Sequence, residues 1–206
     1  MSMETADSYR TLGSAGTHEI KIKASRFIAR GFPVADADEA TALLENIRKR
    51  EYSATHHCFA WVTGLESEIF KYSDDGEPSG TAGRPIYQVL IGRKLKNTLI
   101  VVTRYYGGTK LGTGGLIRAY SRAASEMLDK ADIVEKLICD RLEFSLPFAL
   151  YDRLMRIINT DKLEIVEQDF SDLVKMVINI RKSKTDKFMA QLIELTGGKI
   201  AIIREG

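Results

Sequence analysis

Val174, Met176, Ile178 and Ile180 recur at every second position, and no other stretch of the chain shows so strict a period. Successive side chains of a strand point to opposite faces, so a period of two marks a strand with one buried face. Its flanks build around it. Leu142, Phe144 and Leu146 alternate in the same way, and Pro147 ends that strand because it has no N–H for a ladder. Leu150, Leu154, Ile157 and Ile158 follow helical spacing, and Leu163 and Ile165 start a strand that turns at 169–172. Ser183 with Asp186 gives a capping-box signal for a helix through Phe188, Leu192 and Leu195, which Gly197 and Gly198 stop before a last strand at 200–203. The order βαββαβ predicts a ferredoxin-like domain over 137–206. Both helices would cover one face, leaving Lys175, Asn179 and Arg181 on the other, open to solvent or a partner.

The preceding part also mixes strands and helices, which makes the whole chain α+β. Residues 18–33 read as a pair of strands, and Asp36 with Glu39 caps a helix bearing Ala40, Leu43, Leu44 and Ile47. Strands over 55–63 and 67–72 meet at Gly64, a helix is expected over 86–95, and 98–103 is a β-branched run suited to a buried strand. A long helix over 113–131 turns Leu116, Tyr120, Ala123 and Met127 inward. The expected organisation is a flexible polar arm over 1–16, one domain over 17–136 and a second over 137–206.

Composition narrows the class. Apolar runs such as 99–102 fall far short of the roughly 20 residues that cross a bilayer. Two cysteines, Cys58 and Cys139, are no disulfide framework and point to the reducing cytoplasm. Net charge is +2, yet residues 76–122 hold eight basic side chains and one acid, Glu77, while the rest of the chain is net negative. A local excess of this size favours an anionic partner.

Three constellations lie in or beside that stretch. The segment from Arg104 to Arg118 leaves a buried strand, passes through Gly107, Gly108, Gly112, Gly114 and Gly115, and enters a helix. Glycines let backbone approach a ligand, and N–H groups at a helix start attract an anion. Lys110 and Arg118 add charge, and Tyr105 and Tyr106 can stack on a base. Thr113 stands where a Walker A loop needs lysine, and Ile117 where a dinucleotide fingerprint needs its last glycine. The competing reading is a tight strand-to-helix connection. The second constellation, 74–85, is either a solvated turn or a second anion loop built on Gly76, Ser79, Gly80, Thr81 and Arg84. Asp74, Asp75 and Glu77 could hold Mg²⁺ beside a phosphate, but exposed acids are common in loops and no metal or other cofactor is assigned. The third is His56, His57 and Cys58, of which only His56 and Cys58 share a face, without zinc-like spacing.

Residues 74–85, followed by Arg104, Tyr105, Tyr106, Gly107, Gly108, Leu111 and Gly112, closely resemble the motifs of the IMPACT/YigZ family, and the tail resembles the extra domain of its bacterial two-domain members. The resemblance implies a first domain similar to a domain of a small-subunit ribosomal protein and to RNase PH, and a second similar to a ferredoxin-like domain of elongation factor G. It also implies a regulatory role in translation, exercised in eukaryotic members through protein contacts. The expectation is a non-catalytic binding protein for RNA, the ribosome or a translation factor, using Gly76, Ser79, Gly80, Thr81, Arg84, Arg104, Tyr105, Tyr106, Gly107, Gly108, Lys110, Gly112, Gly115 and Arg118. A protein-binding regulatory module is the alternative, and a Mg²⁺-dependent phosphoester enzyme ranks last because no nucleophile–base pair stands out.

Overall fold

The computed structural model describes residues 7–65 and 67–205. They form two compact units, one over Tyr9–Lys136 and one over Leu137 onward with the N-terminal residues up to Ser8. No helix of the described residues is long and apolar enough to cross a membrane.

The first unit is built on five antiparallel strands in the order β2-β3-β6-β4-β5, which span Gly16–Ile22, Ser25–Pro33, Thr98–Tyr105, His56–Thr63 and Ile69–Ser73. Strand β6 is central, and its alternate residues serve two cores. Ile100 and Val102 face helices α2 (Gly83–Gly92) and α3 (Thr113–Lys130), and they pack with Ala60, Ile86, Leu116, Tyr120 and Met127. Leu99 and Val101 face helix α1 (Ala37–Arg50), and they pack with Leu44, Ile47, Phe59 and Trp61. A strand buried on both faces reads as a continuous apolar run, which is the appearance of 99–102 in the sequence. Asp36 caps α1 by accepting from the amides of Asp38 and Glu39, and the Glu39 carboxylate accepts from Ala35 N–H at 2.7 Å.

The second unit runs β8 (Cys139–Leu146), α4 (Tyr151–Asp161), β9 (Glu164–Phe170), β10 (Val174–Arg181), α5 (Lys182–Leu195) and β11 (Ile202–Glu205). Its four strands are antiparallel in the order β11-β8-β10-β9. Met176, Ile178 and Ile180 join Leu154, Ile158, Phe188 and Leu192 in one core, so both helices lie on the same face. On the opposite face Lys175 and Arg181 are exposed, while Val177 between them is buried.

Two expectations need correction. The arm expected over 1–16 contains strand β1 (Ser8–Leu12), which pairs with β7 (Ile133–Leu137); residues 1–6 of that expectation lie outside the described residues. Leu12 is fully buried, and that apolar burial fixes a segment whose composition looks disordered. Nor does Ser183 cap α5, because it lies inside the helix. Its amide donates to Asp7 at 2.7 Å and its hydroxyl donates to the same carboxylate, so the cap comes from 176 residues away.

Candidate functional site

The loop after β6 and the loop after β5 line one cleft of about 370 Å³, bounded by Glu77 and Pro78 from one side and Arg104, Tyr106, Lys110, Leu111, Gly112, Thr113 and Leu116 from the other. Its floor is a buried polar network. Arg104 Nη1 donates to Glu77 Oε1 at 2.6 Å, and the Tyr120 hydroxyl donates to the same oxygen at 2.7 Å. Arg104 Nη2 donates to Ser25 Oγ at 3.3 Å, and the guanidinium lies between the rings of Phe27 and Tyr106, at 5.3 and 5.2 Å. His56 Nε2 approaches Glu77 Oε1 to 3.9 Å. Burial, together with Cys58 nearby, pushes the Tyr120 phenol far up, so it remains protonated and serves Glu77 as a donor. Burial also raises the Cys58 thiol, which donates to the Asp74 carbonyl at 3.0 Å.

Strand alternation explains this grouping. Phe27, His56 and Arg104 are direct partners in the ladder and share the face covered by α2 and α3. Tyr105 therefore faces the other way. Its hydroxyl donates to Glu51 at 3.3 Å and Arg26 lies over its ring, so it does not line the cleft with Tyr106. His57 is on that second face too, where Nδ1 lies 3.2 Å from Thr103 Oγ1.

The 74–83 loop is not an anion loop in the expected sense, because Asp74 already supplies the anion. Its carboxylate accepts from the amides of Gly80, Ala82 and Gly83 at 2.8 to 2.9 Å and so caps α2, which begins at Gly83 rather than at 86. Asp75 accepts from His57 N–H at 2.6 Å and from Arg48 at 2.7 Å. With Glu77 held by Arg104 and Tyr120, each acid of the supposed Mg²⁺ set is committed to protein donors. Among the described residues no group of three or more histidines, cysteines or acids is arranged to hold a metal. Thr81 is buried and its hydroxyl donates to the Pro78 carbonyl at 2.6 Å. Gly76 packs against His56, while Ser79 and Arg84 are exposed away from the cleft lining.

The 106–112 loop differs. Gly107 is a packing residue: a Cβ there would stand 1.9 Å from the Ala24 carbonyl oxygen, and its amide donates to Ser25 at 3.3 Å. Gly108 and Gly112 take φ of +84° and +70° in open space, which only glycine adopts without strain. Gly115 contacts Leu111 inside α3. The N-cap of α3 is Gly112, with no side-chain hydrogen bond and no acid in the first turn. Helices α1, α2 and α5 each receive a carboxylate at this end and α4 has Asp152 in its first turn, so among the described residues α3 alone lacks one. Lys110 and Arg118 stand there instead, exposed and without an ion pair among the described residues. The Arg118 Nη1 folds back to 3.5 Å from the Cβ position of Gly114. Cations at the positive end of a helix dipole are unfavourable unless an anion joins them.

Sequence reading missed Ser25, Phe27 and Tyr120 as site residues, and it listed Arg104 among the RNA-binding residues although it is 4% exposed. Tyr120 was legible as inward-facing; its partnership with Glu77 was not.

The fold and cleft define a two-unit α+β protein with a cleft at one sheet end of its first unit. Comparison with known proteins places it further. The Impact N-terminal domain model matches residues 23–128, and a model described as a domain of unknown function (DUF1949) matches 144–199. The chain is 40% identical over 199 residues to the IMPACT family member YvyE of Bacillus subtilis, covering 97% of this chain and 91% of that one. It is 31% identical over 185 residues to the IMPACT family member YigZ of Escherichia coli, covering 89% and 91%. A crystal structure described as that of a hypothetical protein aligns with a TM-score of 0.70 at 30% identity, covering 96% and 97%. The chain belongs to the IMPACT family.

Proposed function

We propose that this protein binds RNA, on its own or within the ribosome, through the cleft at the α3 N-terminus and thereby acts in translation without catalysis. The single observation behind this reading is the uncapped start of α3, flanked by Lys110 and Arg118 and faced by the exposed ring of Tyr106. Amides, fixed cations and an aromatic ring together suit a phosphate backbone with an unpaired base. The β11-β8-β10-β9 order supports reading the second unit as a ferredoxin-like split βαβ unit, and the first unit is read as ribosomal-protein- and RNase PH-like. Likeness of fold carries less weight here than the cleft does. The reading includes a cytoplasmic location, where Cys58 and Cys139 remain free thiols.

Binding of single-stranded RNA should weaken steeply with salt. Lys110→Glu and Arg118→Glu should each lower the slope of log affinity against log salt by about 0.7 or more. Binding that ignores salt and both substitutions would overturn the reading.

A second reading, docking of a protein partner, is favoured by a different surface. On edge strand β5, Phe70 stacks with Tyr87 of α2 at 4.7 Å and Tyr72 packs against the same ring, tilted, at 5.5 Å, and Phe70 and Tyr72 remain 49% and 41% exposed. Capture from lysate with and without nuclease separates the two: a partner that survives nuclease and is lost in Phe70→Ser supports the second.

A further inference from the structure

We propose that the cleft between the two loops is a site for a nucleoside monophosphate group, its phosphate monoester at the α3 N-terminus and its base against Tyr106. The proposal deepens the RNA-binding reading and rests on it for the source of the ligand. The chemistry comes from the cleft itself.

Two independent features call for an anion here. The first turn of α3 presents amides with no side-chain cap, beside Lys110 and Gly112. Arg104, which lines the same cleft, is 4% exposed, and its Nε–H has no acceptor among the described residues. Its other nitrogens are satisfied by Glu77 and Ser25, so one buried donor of a fixed cation is left over. Charge then favours a monoester. A terminal phosphate carries about −1.5 to −2 at neutral pH, more than a diester in mid-strand, and offers three acceptor oxygens.

Size and lining point to the rest of the ligand. A volume of about 370 Å³ lies near the lower end for small-molecule pockets, which suits one nucleotide rather than a continuous strand. Pro78, Leu111 and Leu116 add apolar lining for a sugar or base. Tyr106 has one side against the Arg104 guanidinium and keeps 43% of its surface exposed, so its ring is held in place for stacking. The same chemistry is met in a free nucleotide and in the phosphorylated end of an RNA strand.

The test uses the full chain and fluorescence anisotropy with one short unpaired RNA made in three forms: a 5′-phosphate, a 3′-phosphate, and hydroxyls at both ends. Free AMP and UMP serve as competitors. One phosphorylated form should bind about tenfold more tightly than the hydroxyl form, the worth of a hydrogen-bonded ion contact. Lys110→Gln should abolish that preference with an unchanged melting curve, since this side chain is exposed and makes no hydrogen bond or ion pair among the described residues. Tyr106→Leu should abolish it too, although it also loses its contact with Arg104. Competition by AMP or UMP with no preference for any end assigns the site to the free nucleotide and supports the cleft. Equal affinity of all three RNAs, indifferent to nucleotide, overturns the cleft proposal and leaves RNA binding standing. Nucleotide binding without RNA binding keeps the cleft and overturns the RNA reading; binding of neither overturns both.

Discussion

Glu77 and Arg104, 27 residues apart in the chain, meet at 2.6 Å with only 4% and 5% of their side chains exposed. The pair fastens the 74–83 loop to the end of the central strand β6, and the Tyr120 hydroxyl secures the same carboxylate from α3. Three separate elements are thereby tied at the floor of the cleft. Through Glu77, Arg104 fixes the relation between the two loops, and its unsatisfied Nε–H stands beside the cleft that the rim cations also serve.

Removing the charge of Glu77 should be costly. An arginine cannot shed its proton, so Glu77→Gln leaves a buried cation without a counter-ion, at a cost of about 3–5 kcal/mol. The double variant Glu77→Gln with Arg104→Met should recover most of it, because both charges are then gone. Urea unfolding of the three proteins checks this. A double variant as unstable as Glu77→Gln alone would show that the isolated charge is not the cause.

Gly107 and Gly108 are neighbours with different reasons to be glycine, and substitution should separate them. Alanine at 107 puts a methyl group 1.9 Å from the Ala24 carbonyl oxygen, so the strand end must move; a loss above about 3 kcal/mol is expected. Alanine at 108 meets nothing within 4 Å and bears only the cost of φ at +84°, about 1–3 kcal/mol. Thermal melts of the two variants decide it, and equal losses would mean that the Ala24 turn yields freely.

What the sequence disclosed and what it hid divide along physical lines. The alternation at Val174, Met176, Ile178 and Ile180 and the stripe from Leu116 to Met127 are local periodicities, and the structure keeps both as core faces. Partners across long separations left no such mark. Asp74 caps a helix that begins nine residues later, beyond the three-residue reach of a capping box, and Asp7 caps α5 across the chain. A buried Arg104 is written in the sequence like any surface arginine. Tyr105 could have been set apart from Tyr106 by counting on from Val101 and Val102, since strand alternation assigns them to opposite faces.

Acid should weaken the fold through His57. Burial pushes its folded pKa below 6.5, outweighing nearby Asp75, which acts in the opposite direction. Below 6.5 the unfolded chain takes up a proton that the folded chain resists. The stability tied to the neutral ring is therefore complete above 6.5 and is lost as pH falls through the lower folded value. Unfolding midpoints measured from neutral pH to about 5 should fall less steeply in His57→Gln than in the parent. Parallel profiles would exclude His57 as the source.

The start of α3 offers the sharpest separation of stability from binding. Thr113 is the first helical residue after the Gly112 cap, and it is exposed at the cleft. Thr113→Asp places a carboxylate where the other helices already have one, so the fold should gain about 0.3–1 kcal/mol from the helix dipole. The same charge occupies the field that an incoming phosphate needs, and affinity for single-stranded RNA should drop about tenfold or more. Thr113→Asn has nearly the same shape without the charge and should keep the affinity. A thermal melt and an RNA titration on both variants give the answer. Undiminished binding by a more stable Thr113→Asp protein would remove the α3 N-terminus from the binding surface and, with it, the reason its flanking cations have no ion pair among the described residues.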